Sequence, residues 1–145
     1  MKIATLLLCL LICVGSAKAQ DIFRATEVDS RPLITGGSYT LTKFIGENLQ
    51  IPEAENLKIH ILTSFVVEVD GSLSDIQCVY LRDEELLPRD KYGDETAPQV
   101  PINLEYLKME IVRVLAKYDQ KFIPAMKDGA PVRCLHHFPV NLNIE

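Results

Sequence analysis

Residues 122–144 read FIPAMKDGAPVRCLHHFPVNLNI. Asp128-Gly129 is a turn pair, and Val132 to Ile144 after it has the character of a terminal strand, interrupted by Pro139. A proline cannot donate to a sheet ladder, so a strand that holds one belongs at a sheet edge or carries a bulge. An edge strand is in turn a template for the backbone of another chain. Fold and function therefore both turn on where this strand sits.

The segment that should pair with it lies upstream. Lys58 to Val69 alternates, with Ile59, Ile61, Thr63, Phe65, Val67 and Val69 on one face and His60, Ser64 and Glu68 on the other. Asp70-Gly71 then gives a hairpin turn, and Ser72 to Leu81 returns as a second strand with Ile76, Cys78 and Tyr80 on a common face. Two helices flank the hairpin. Leu41, Phe44, Ile45 and Leu49 recur at helical spacing with Thr40 as the expected N-cap, and Pro52 as the stop. Leu104, Leu107, Ile111, Val114, Leu115 and Tyr118 form the stripe of the second helix, capped by Asn103, with Glu105, Lys108, Arg113 and Lys117 on its polar side.

The element order is helix, strand, strand, helix, strand. A helical crossover makes the second and third strands parallel. The first strand is the most continuously apolar, which suits a central position. The expected fold is α+β, a three-stranded antiparallel-type sheet of order 2-1-3 with two helices on one face and the third strand at an open edge. That order separates Cys78 from Cys134 by two strand spacings, roughly 9–10 Å, beyond the about 7 Å a disulfide spans. Both thiols are expected free.

The N-terminus reads as an export signal. Met1-Lys2 is followed by the apolar run Ile3–Val14 and by Ala17-Lys18-Ala19, an A-x-A cleavage site. The run is shorter than the roughly 20 residues of a membrane span. Expected divisions are a signal peptide at 1–19, an extended arm at 20–31 and one domain at 32–145, with a polar surface loop at 82–101. Cleavage would place the protein in the periplasm with no membrane span. It would also remove two of the four cysteines, and two of the 15 basic residues, taking the net charge from −5 to about −7. So acidic a chain does not suit nucleic acid or an anionic membrane.

Catalytic patterns are sparse. His136 and His137 are strand neighbours and face opposite ways, and only His60 could join one of them, too few ligands for a metal. The acidic residues of 82–101 lack the spacing that wraps calcium. There is no nucleophile elbow and no glycine-rich phosphate loop. The expectation is a non-enzymatic protein without cofactor.

Several markers recur in a familiar order. Pro32-Leu33-Ile34-Thr35-Gly36-Gly37 matches P-x-x-x-G-G, and Asn48-Leu49-Gln50-Ile51-Pro52-Glu53-Ala54 matches N-L-x-Y-P-x-x-A with Ile51 for tyrosine. Phe65-Val66-Val67 before Asp70-Gly71-Ser72-Leu73 matches F-x-V-x-x-D-G-x-I. Phe122-Ile123-Pro124-Ala125, Gly129-Ala130-Pro131-Val132 and Pro139-Val140-Asn141-Leu142 match W-x-P-A, G-x-P-V and P-V-x-F, with Phe122 for tryptophan and Leu142 for phenylalanine. Together they resemble the C-terminal domain of the TonB energy transducers of Gram-negative envelopes, from Pro32 onward. The 82–101 loop is longer than the usual connection, and the membrane anchor and proline-rich span of the transducers have no counterpart here.

The resemblance implies recognition by strand addition. The partner would be the TonB box, a short extended segment of a TonB-dependent outer-membrane receptor. Carried over, the peptide-binding positions are Asn48, Leu49, Gln50 and Ile51, and on the terminal strand Arg133, Leu135, His137, Pro139, Asn141 and Asn143. About four or five backbone hydrogen bonds, at about 0.5–1.5 kcal/mol each, sum to roughly 5 kcal/mol. Micromolar affinity needs about 8 kcal/mol, so side chains must add to the ladder. The alternative is a self-associating envelope protein that dimerises through the same edge, with no role in transport.

Overall fold

The computed structural model describes residues 20–51, 57–80 and 103–144. The predicted leader, Pro52 and the 82–101 loop lie outside them. In chain order the described elements are β1 (Ile22–Phe23), α1 (Ser38–Asn48), β2 (Leu57–Val67), β3 (Leu73–Tyr80), α2 (Leu104–Ala116), β4 (Ala125–Lys127) and β5 (Ala130–Ile144). The class is α+β, as expected.

The three long strands take the predicted order. β2 pairs antiparallel with β3 on one side and with β5 on the other, so β3 and β5 run parallel. Leu57–Val67 meets Ile144–Cys134 in unbroken register. Ile61, Thr63, Phe65 and Val67 are all at most 2 % exposed and lie beneath the helices. Ser64 and Val66, on the opposite face, are buried too, as befits a strand paired on both sides. The buried Thr63 hydroxyl donates to the Phe138 carbonyl at 2.7 Å. It leaves no polar atom stranded.

β3 reaches the core through a bulge. Ser64 pairs with Gln77 and Val66 with Ser74, so Asp75 and Ile76 together face Phe65. Asp75 takes φ 46° to absorb the extra residue. Without it, strict alternation from Leu73 would turn Ile76 and Cys78 away from the helices. With it, Leu73, Ile76 and Cys78 all pack against the core.

The expected sheet is incomplete in two places. β1 adds to β5 in parallel, with Ile22 opposite Arg133 and Phe23 opposite Cys134, so the sheet is mixed. β4 forms a hairpin with the start of β5 through Asp128-Gly129, at φ 50° and 78°. That pair of positive φ angles is the hairpin turn an Asp-Gly dipeptide favours. Elements of two and three residues are too short to show a period, which is why neither was foreseen.

The first helix also begins earlier than expected. Its N-cap is Gly37, without a side-chain bond, and Thr40 sits inside the first turn, where its hydroxyl donates back to the Gly36 carbonyl at 3.0 Å. In α2, Asn103 caps as predicted, its side-chain oxygen accepting from Glu105 N at 3.1 Å and Tyr106 N at 3.3 Å. Leu41 and Ile45 of α1 and Leu107, Ile111, Val114 and Leu115 of α2 are buried together on one face of the sheet. There Phe44, Tyr118, Phe122 and Phe65 make successive edge-to-face contacts, with ring centroids 5.1, 6.0 and 5.6 Å apart.

The cysteines lie as the strand order requires. Cys78 faces Thr63 and Cys134 faces Val67, four residues apart along β2 and on opposite sides of it, a separation of about 16 Å from strand geometry. Both are free. Burial pushes the Cys78 thiol up to about 11 and raises that of Cys134 as well, which keeps both as unreactive thiols.

Candidate functional site

The backbone of β5 divides its hydrogen-bonding groups between two sides. Successive residues of a strand point them in alternate directions. Ala130 and Val132 pair with β4, and the even-numbered residues that follow continue that side against β2, as the bond from Thr63 to the Phe138 carbonyl shows. Leu135, His137, Pro139, Asn141 and Asn143 consequently turn theirs the other way. On that side, β1 covers Arg133 and Cys134, and no strand among the described residues pairs beyond them. Pro139, whose nitrogen has nothing to donate, falls on the unpaired side, where a proline is tolerated.

Side chains along this edge also alternate. His136, Phe138 and Val140 face the helices, with Phe138 and Val140 buried and the His136 ring 5.5 Å from Phe65 and 6.1 Å from Phe122. Burial, with His137 next door, lowers the pKa of His136. On the opposite face, His137, Pro139 and Asn141 are exposed. Asn141 Oδ1 lies 2.6 Å from His60 Nδ1 across the β2–β5 pair. The two neighbouring histidines thus part to opposite faces as expected. Among the described residues no group of three or more His, Cys, Asp or Glu is placed to hold a metal.

The N-terminal arm is built into the site. Beyond β1, Asp29 and Ser30 bond to Met126, and Leu33 exchanges hydrogen bonds with Ile123 at 3.0 and 2.8 Å. Lys127 donates to the Glu27 carbonyl and its ammonium sits 5.0 Å from the Phe23 ring centre. Arg133 ties three parts together. Its Nε donates to Glu68 Oε2 at 2.8 Å and its Nη1 to the Gln20 carbonyl at 2.9 Å. The bonding of Arg133 to Glu68 holds that carboxyl below its usual range. Arg133, foreseen as a peptide contact, is therefore occupied by the chain's own first strand.

Asn48–Ile51 lies elsewhere. Leu49 and Ile51 are half-buried against the core, whereas Asn48 and Gln50 are exposed. The bonds that tether this segment beyond its own helix lead to α2. Arg113 Nη2 donates to the Asn48 carbonyl at 3.0 Å, Gln50 N–H donates to Glu110 Oε1 at 2.9 Å, and the Tyr106 hydroxyl donates to the Gln50 carbonyl at 3.2 Å. The anchor is Glu110, a carboxylate only 6 % exposed that also accepts from Arg113 Nε at 2.8 Å. The hydrogen bonds from Arg113, then the Gln50 N–H, bring its pKa down to about 2. Of the ten foreseen positions, Leu135, His137, Pro139, Asn141 and Asn143 share one side of β5, and from His137 onward that side meets no described strand. Arg133 is taken up by Glu68 and the N-terminal arm, and Asn48–Ile51 is tethered to α2. Glu110 was missed, although its place three residues before Arg113 was a visible sign of pairing.

Glu110 has a measurable signature. Its folded pKa is lowered below the usual 4.5, so its stabilising effect is full above that value and fades as pH falls toward 2. E110Q should lose about 1–2 kcal/mol at pH 7, and the difference from wild type should shrink at pH 3. Urea titrations at both pH values check this; an equal difference at the two would remove the ionic role.

No protein-family model and no curated protein matches this chain. Among the described residues no helix is long and apolar enough to cross a membrane.

Proposed function

We propose that this protein is an exported, periplasmic, TonB C-terminal-like binding module that captures an extended segment of a TonB-dependent outer-membrane receptor by strand addition. The observation that carries the reading is the side of β5 beyond Leu135 that no described strand pairs, where His137, Asn141 and Asn143 present whole backbone donor–acceptor pairs and Pro139 presents a carbonyl. The ordered sequence markers supply the ligand class. His137, Pro139 and Asn141 supply exposed side chains along the row, which can make up the affinity that a backbone ladder alone lacks. Asn48–Ile51, held on α2, acts mainly as a brace in this scheme. Chemistry on a bound substrate forms no part of it.

The register decides where the test belongs. Leu135 turns its backbone toward Phe23, so a proline there would disturb the chain's own β1. His137 is the better position, because its outward N–H meets no strand among the described residues and its side chain is exposed. H137P should keep the fold and weaken binding of a receptor-box peptide at least tenfold, as read by isothermal titration calorimetry. Undiminished binding to folded H137P would sink strand addition at this edge.

A further inference from the structure

We infer that Pro139 keeps the open edge of β5 from pairing with a second copy of this chain and so reserves it for a different backbone. The inference concerns self-pairing alone and stands whether or not a receptor peptide binds. Four residues turn their backbone groups to the side that no described strand covers, His137, Pro139, Asn141 and Asn143, and Pro139 interrupts their row. It offers an acceptor and no donor. Its ring is exposed and the register with β2 runs unbroken through it, so neither core packing nor a bulge accounts for a proline here.

A symmetric pair of edges feels this gap twice. Two copies of β5 meeting antiparallel are related by a two-fold axis, and each brings its own proline. Centred on Pro139, the pair places the two prolines opposite each other, and both hydrogen bonds of the central residue pair are absent. Centred on Val140, it sets each proline against an Asn141 of the other copy, and each of those two pairs lacks one bond. An incoming strand without proline meets the gap once, wherever it lies. β1 enforces the distinction, because by covering Arg133 and Cys134 it removes the upstream registers in which two copies could pair beyond the prolines. Edge prolines are a general means of blocking such association.

Sedimentation velocity on the full-length sequence, purified after expression with its own leader, tests the idea. Wild type should remain monomeric. P139V restores two donors per symmetric pair and should strengthen self-association about tenfold to a hundredfold. The double variant P139V/N141P moves the gap by one outward-facing position and should return to monomer. Circular dichroism and urea unfolding confirm that each variant is folded. The inference is overturned if P139V stays as monomeric as wild type over the same concentrations, or if wild type already self-associates as strongly. It is equally overturned if association of P139V persists unchanged in the double variant.

Discussion

Gly71→Ala should destabilise this protein by about 3–5 kcal/mol, among the largest effects of any single substitution that removes no atoms. The turn between β2 and β3 is closed by Glu68 N–H donating to the Ser72 carbonyl at 2.8 Å and Gly71 N–H donating to the Glu68 carbonyl at 2.9 Å. Gly71 holds φ +84°, a conformation that L-residues resist. A methyl group there would lie 2.1 Å from the Phe122 carbonyl oxygen and 3.1 Å from its nitrogen. Backbone cannot yield as a flexible side chain can. The contact is close because Phe122 N–H donates to the Gly71 carbonyl at 2.8 Å, docking the hairpin turn on the segment before β4. Urea denaturation measures the loss; a change below about 1 kcal/mol would mean that the turn is not docked in this way. Gly46, inside α1 with no neighbour within 4 Å of an added Cβ, is the internal control. Gly46→Ala should instead stabilise by about 0.5–1 kcal/mol.

Phe122→Ala should cost about 3–5 kcal/mol for a different reason. Phe122 is 3 % exposed and its ring meets Phe65 of β2, Tyr118 after α2 and His136 of β5. Removing it opens a cavity where the central strand, the edge strand and the end of α2 converge, and none of these can collapse into the space without breaking register. Because His136 leans on the same ring, the edge should loosen as well as the core. Hydrogen exchange should therefore rise at His136 and Phe138 beyond what the drop in global stability explains. A loss under about 1.5 kcal/mol in thermal or urea unfolding would show that Phe122 is not the keystone of this junction.

What could be read in advance was whatever repeats. The alternation of Ile61, Thr63, Phe65 and Val67 declared a central strand, and the single proline at 139 declared an edge. The order of the three long strands and the two free thiols followed from those. What escaped had no period or depended on contacts distant in sequence. Ile22-Phe23 is only two residues long, and its pairing with Arg133 and Cys134 spans most of the chain. The bulge at Asp75 left a trace in the broken spacing from Leu73 to Ile76, but the backbone angle that makes it was invisible. Asn48–Ile51 is adjacent in sequence to the expected helix stop at Pro52, and its role in peptide contact comes from the family likeness alone. Its position on α2 is decided by Glu110 and Arg113, residues about 60 positions away. The Thr40 cap failed because Gly36 and Gly37, both at positive φ, let the chain enter the helix three residues, nearly one turn, sooner.

The parallel sense of β1 governs where cargo can be attached. With Ile22 level with Arg133 and Phe23 level with Cys134, Gln20 and Asp21 lie toward the Ala130 end of β5. Arg133 pins the Gln20 carbonyl at that end. A fluorophore, affinity handle or fusion partner joined at Gln20 therefore starts from the end of the strand remote from His137–Asn143. A handle on the C-terminal side of β5 would instead start beside Asn143, at the end of the row itself. Handles for surface immobilisation belong at the front of this protein, where they leave the row of backbone groups uncovered.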